Sequence, residues 1–132
     1  MNVLRRGAVD RIVELVAVAY ELEPTAILKH DRHKCVVEAR HLCYWLARRT
    51  TRFSWPELAR AFRDPSSEAA RDHTTIMNGA NSNEARMRRD RWLRETASRL
   101  LEVLVVGDVE EAFSSLGAPA EGGFQLQEGR LQ

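Results

Sequence analysis

The sequence predicts an all-α protein, a bundle of about five to six helices built around a helix-turn-helix. Three observations carry that expectation. Apolar residues recur at i, i+3, i+4 and i+7 in separate stretches, and no alternating strand pattern appears. Two stretches open on strong helix-start signals, Ser54-Trp55-Pro56-Glu57 and Asp72-His73-Thr74. These two starts follow one another along the chain, as the paired helices of a helix-turn-helix must.

A chain of 132 residues has room for one domain with a real core. Its 44% hydrophobic and 30% charged content suits an ordinary globular protein and leaves no apolar run long enough to cross a membrane. Amphipathic sequence, not an apolar core, follows Met1 to Arg6, so no secretory signal is expected. Cys35 and Cys43 are expected to be reduced thiols in a cytoplasm. The net charge of +1 hides an asymmetry. From Gly107 onward one basic residue, Arg130, faces five acids, Asp108, Glu110, Glu111, Glu121 and Glu128. Residues 1–106 therefore hold 19 basic against 14 acidic residues, or +5, which suits a body that meets a polyanion.

Val9, Ile12, Val13, Val16 and Ala19-Tyr20 predict a first helix over about 8–21, ended by Glu23-Pro24 because the residue before proline leaves the helical region. Ala26-Ile27-Leu28 allows one or two turns at most. Lys29-His30-Asp31-Arg32-His33-Lys34 reads as a polar, mostly basic connection. A second strong helix is expected over about 36–50, with Val37, Leu42, Trp45 and Leu46 inward and Arg40, Arg48 and Arg49 on the remainder. Ser54 and Glu57 form a capping box that opens a short helix to about Phe62, with Leu58, Ala61 and Phe62 inward.

Residues 63–70 read as a turn-forming connector, followed by a helix capped by Asp72. Its first turn carries His73, Thr74 and Thr75; Ile76 and Ala80, with Met77 beside them, make its apolar stripe. A polar first turn over a packed inner face is the form of a DNA-recognition helix. Leu93, Ala97, Leu100, Leu101 and Leu104 predict a last helix that closes the core. The acidic tail, residues 107–132, is expected to be disordered or to hold one weak helix.

Val37-Glu38-Ala39-Arg40, the Ser54-Trp55-Pro56-Glu57-Leu58 helix and Arg71-Asp72-His73-Thr74-Thr75-Ile76 together resemble the C-terminal DNA-binding domain of the bacterial replication initiator DnaA, a Trp-repressor-like helix-turn-helix. The resemblance runs from about Val9 to Leu104. It implies that Asp72, His73, Thr74 and Thr75 read bases in the major groove of a nine-base-pair box. It also implies that Arg32 enters the adjacent minor groove, and that Lys34, Arg40, His41, Arg48, Trp55 and Pro56 contact the DNA backbone. The chemistry suits these roles: carboxylate accepts from cytosine, imidazole and hydroxyl bond either way, and a threonine methyl meets a thymine methyl.

The sequence departs from the family in three places. Asn78 stands one turn after His73–Thr74, where histidine is frequent, and can itself bond a base edge. The basic loop is diluted by His30, Asp31 and His33. The connector between Phe62 and Asp72 is about six residues longer than the family's tight turn.

The partner implied is therefore double-stranded DNA, with no cofactor, nucleotide or membrane. A phosphate-binding loop of the Gly-x-x-x-x-Gly-Lys type is missing, and there is no room for a nucleotide-binding domain, so a lone reader at the nucleoid is expected. The rival reading keeps the same helical body as a protein-interaction or transcription-regulating module with altered DNA specificity. An enzyme is not expected, because Asp72 and His73 lack a nucleophile or second carboxylate to complete a site. His30, His33, Cys35 and His41 match no closed zinc spacing. Trp45 and Trp92 read as core or partial-core aromatics, and Arg86, Arg88, Arg89 and Arg91 as a solvated helix face.

Overall fold

The computed structural model describes the backbone of residues 2–29, 31–64, 66 and 71–115, with side chains from 7 to 106 of that range. The described residues form six helices: α1 (Asn2–Tyr20), α2 (Pro24–Leu28), α3 (Lys34–Thr50), α4 (Trp55–Ala61), α5 (His73–Met87) and α6 (Arg91–Ser115). Among the described residues there is no strand, as the periodicity predicts, and no helix is long and apolar enough to cross a membrane. The chain divides into two compact units, Met1–Leu101 and Glu102–Gln132. His30, most of the connector and the tail beyond Ser115 lie outside the described residues.

In the first unit, α3 is the central helix. It packs on α1, α2, α4 and α5, and α5 packs on both α3 and α4. The apolar periodicity supplies the core directly. Val9, Ile12, Val13 and Val16 of α1 meet a sequestered interior that also holds Leu42, Leu46, Leu58, Phe62, Ile76 and Leu93. Each of these is below 2% exposed, so their burial, worth about 1.5–3 kcal/mol each, is the main force holding the helices together. Trp45 joins the core; Trp92 is half exposed and meets the edge of Tyr20 with ring centroids 5.2 Å apart.

Several boundaries differ from the sequence reading. Helix α1 begins at Asn2, six residues before the expected start at about residue 8, in keeping with the helix propensity of Leu4, Arg5 and Arg6. It ends at Tyr20 through a left-handed Glu21 (φ 58°), with Leu22 N–H donating to Ala17 (2.9 Å) and Glu21 N–H to Val18 (3.2 Å). Helix α6 passes through Gly107 and continues to Ser115. Arg86 is half-buried beside Glu38 at 4.0 Å, so it leaves the solvated face on which it was expected, whereas Arg88, Arg89 and Arg91 are exposed.

The first helix of the helix-turn-helix is capped at its start and tied at its end. The Ser54 capping box forms as predicted: Glu57 N–H donates to the serine hydroxyl (3.2 Å) and Ser54 N–H to the glutamate (2.8 Å). At the far end, Arg71 Nε donates to the Phe62 carbonyl at 3.0 Å. The start of α5 is therefore tied to the end of α4, whatever course the longer connector takes between them.

Candidate nucleic-acid interface

The first turn of α5 projects outward. Asp72 caps it, its carboxylate accepting from Thr74 N–H at 2.9 Å, and this leaves the other carboxylate oxygen available. His73, Thr74, Thr75 and Asn78 are all exposed, while Ile76, Gly79, Ala80 and Asn83 on the opposite side are buried. The five residues predicted to read bases thus share one surface. His73 Nδ1 lies 3.9 Å from the Asp72 carboxylate, beyond hydrogen-bond reach, so the ring stays available to a partner.

Gly79 explains how α5 sits so close to α3. A Cβ at this position would meet His41 Cδ2 and Tyr44 Cδ2, each at 2.7 Å. Only glycine permits that approach, and an isolated glycine in a helical pattern is the sequence signal that could have revealed it.

The remaining predicted contacts separate into two kinds. Arg32 and Lys34 are exposed, at the end of the basic loop and the first position of α3. Asp31 anchors this loop, accepting from His33 N–H at 2.9 Å and lying 2.6 Å from His33 Nδ1; the backbone donor holds its carboxyl below the usual range. Arg48 is exposed too. Its guanidinium lies 4.5 Å from the Trp55 ring centroid and donates to the Phe53 carbonyl at 3.0 Å. Trp55 is half-buried and Pro56 exposed, both in the first turn of α4. Beside Trp55 opens a groove of about 390 Å³, in which Arg49 stacks on Trp45 at 4.4 Å and Trp45 Nε1 donates to Glu84 at 2.7 Å.

Arg40 is buried and His41 half-buried, unlike Arg32, Lys34 and Arg48. Arg40 is 8% exposed, and its guanidinium donates to the carbonyls of Ile27 (2.7 Å), Lys29 (2.5 Å) and Asp31 (3.0 Å). It faces the interior, where Nε and Nη2 serve carbonyls at and beyond the end of α2 that have no helical partner. Burial lowers its pKa from the ordinary arginine value, with nearby Arg71 acting in the same direction. His41 is half-buried, and burial, with Arg86 and Arg40, pushes its pKa down to about 4. Its imidazole is neutral at pH 7, so it can offer a polar hydrogen but no positive charge. The Cys43 thiol is buried and pushed up, whereas Cys35 is exposed; neither is in a disulfide.

Comparison with known proteins agrees with this geometry. The family model described as the bacterial DnaA protein helix-turn-helix matches residues 9–82. The chain is similar to the chromosomal replication initiator protein DnaA of Aquifex aeolicus, at 36% identity over 81 residues, covering 61% of this chain and 19% of that protein. For the same protein of Xanthobacter autotrophicus the identity is 32% over 91 residues, covering 69% and 17%. For that of Dechloromonas aromatica it is 27% over 101 residues, covering 76% and 20%. The chain thus spans about a fifth of the length of these relatives. With more than half of its residues matched, and with two capped helices facing one another across a tied turn, the chain belongs to the bacterial DnaA helix-turn-helix family.

Proposed function

We propose that this chain binds double-stranded DNA sequence-specifically at DnaA-box-like sites, and that it acts in the initiation of replication or its regulation. The observation that carries this reading is the outward start of α5: His73, Thr74 and Thr75 exposed in its first turn beside the Asp72 cap, and Asn78 exposed one turn later, on a helix whose opposite side is locked into the core. Side chains at the first turn of such a helix reach base edges when the helix enters the major groove.

In this reading Asp72, His73, Thr74, Thr75 and Asn78 read the major groove and Arg32 the minor groove. Lys34, Arg48, Trp55 and Pro56 hold the backbone, with His41 limited to a neutral contact. Arg40 commits Nε and Nη2 to carbonyls within the protein, so a backbone contact from it falls to Nη1. The role is binding without catalysis and without nucleotide, in the cytoplasm at the nucleoid. Family membership supports the DNA partner, and the names of the relatives support the link to replication.

The test is a salt-dependent mobility shift of a duplex carrying an initiator box beside one with the box scrambled. The expected result is retention of the box duplex at a salt concentration that releases the scrambled one. Equal binding to both would refute specificity, and binding to neither would leave the protein-interaction reading in its place.

A further inference from the structure

The two parts of the proposed interface are separate in sequence yet joined by two arginines. Arg71, the residue before the α5 cap, donates through Nη2 to the Leu28 carbonyl and, at 3.3 Å, to that of Lys29. Arg40 donates to Ile27, Lys29 and Asp31 from the other side, so the Lys29 carbonyl accepts from both guanidiniums. Arg71 also holds Phe62 at the end of α4. One planar, five-donor group thus ties the end of α4, the end of α2 and the start of the recognition helix together. Arg32 stands three residues beyond Lys29, on the strand of backbone that these bonds restrain.

We propose that Arg71 and Arg40 are positioning residues that fix the loop bearing Arg32 against the start of α5, so that minor-groove and major-groove reading occur in one register. The inference rests on the DNA-reading role proposed above. The physical reason is geometric. A misplacement of about 1 Å is enough to lose a base contact, and the Asp31–His33 bonds are internal to the loop and do not tie it to the rest of the fold. Lysine cannot replace arginine here, because a point charge on a flexible stem cannot donate to three carbonyls in fixed directions. Arg71 thus affects sequence preference at the end of the site that it does not itself touch.

The experiment is selection of bound duplexes from a random pool by the wild-type protein, Arg71→Lys, Arg71→Gln, Arg32→Ala and the double variant Arg71→Gln/Arg32→Ala. Amide hydrogen exchange of each free protein accompanies it. Arg71→Lys and Arg71→Gln should lose preference, by about tenfold, at the same end as Arg32→Ala, while the preference read by His73 and Thr74 is kept. The double variant should be no worse at that end than Arg32→Ala. Exchange should rise at His33 and Lys34 and stay low from Ile76 onward, a pattern visible without DNA. Equal losses at both ends, additive losses in the double variant, or unchanged exchange in Arg71→Lys would overturn the coupling. Should Arg71→Gln fail to fold, Arg71→Lys alone decides by the same criteria. If the wild-type protein selected no motif while exchange changed as stated, the DNA reading would fall and the mechanical tie would stand.

Discussion

The two ends of the candidate interface are built in opposite ways. The first turn of α5 caps itself: Asp72 accepts from Thr74 two residues away, and the residues that follow stay exposed for a partner. The basic loop has a like local bond, from His33 N–H to Asp31, but it is tied from far along the chain as well. Distant arginines donate to its carbonyls and to those at the end of α2: Arg40 to Ile27, Lys29 and Asp31, and Arg71 to Leu28, 43 residues back, and Lys29. The lesson lies in the arginines of α3. Arg40 is an internal strut, whereas Arg48, eight residues later, lies exposed across Trp55. A basic residue in a DNA-binding family is therefore not a DNA contact until its donors are accounted for.

The strongest way to break this contrast is Arg40→Ala. It leaves carbonyls at the end of α2 without donors, and a loss of about 3 kcal/mol of folding stability is expected, read by denaturant titration. Arg48→Ala, by contrast, should change stability by no more than about 0.5 kcal/mol. Equal effects of the two substitutions would erase the distinction between strut and contact.

Gly79→Ala sharpens the account of how α5 is seated. Overpacking against His41 and Tyr44 costs about 1–3 kcal/mol, and the better helix propensity of alanine returns about 1 kcal/mol. A net destabilisation of about 1 kcal/mol is expected in thermal unfolding; a stabilised variant would mean that α3 and α5 are not in close contact.

Asp72 sharpens the comparison from the other end, since it serves both the fold and the proposed reading. Asp72→Ala should cost about 1 kcal/mol of stability, as loss of a cap does, while Asp72→Asn keeps the cap and should be nearly neutral. If Asn were as damaging as Ala, something other than capping would hold this turn.

The smallest effect is a pH dependence. His41 titrates near 4 in the folded protein, below its ordinary 6.5, because it is buried. The unfolded chain therefore takes up this proton first as the pH falls, and the stability linked to His41 declines from about pH 6.5 toward 4. Above that window it contributes no slope. His41→Gln should unfold with a shallower acid dependence than the wild type when midpoints are compared from pH 7 to pH 4.5.

Much of this was legible in the sequence because its signals are local. Ser54, Glu57 and Asp72 mark helix starts through bonds to residues two or three positions away, and the apolar repeats of α1 name its core residues outright. The fate of Arg40 was not legible. Arg40 and Arg48 lie only about 80° apart around the helix, so periodicity alone cannot assign one to the interior. What decides is the folded-back end of α2, a tertiary fact. Arg71 was quoted in the motif, but its reach to Leu28 depends on the same fold. The start of α1 at Asn2 escaped because apolar periodicity marks only part of a helix.

The central claim is that α5 reads DNA and α3 only holds it. It is tested most directly by measuring affinities for box and scrambled duplexes at several salt concentrations, for the wild type, His73→Ala, Thr74→Ala and Arg48→Ala. His73→Ala and Thr74→Ala are expected to lose about 1–3 kcal/mol on the box and little on the scrambled duplex, narrowing the gap between them. Arg48→Ala should weaken both alike and lower the salt slope by about one unit. If all three substitutions narrowed the gap equally, or none did, the helix that begins at His73 would not be the reader.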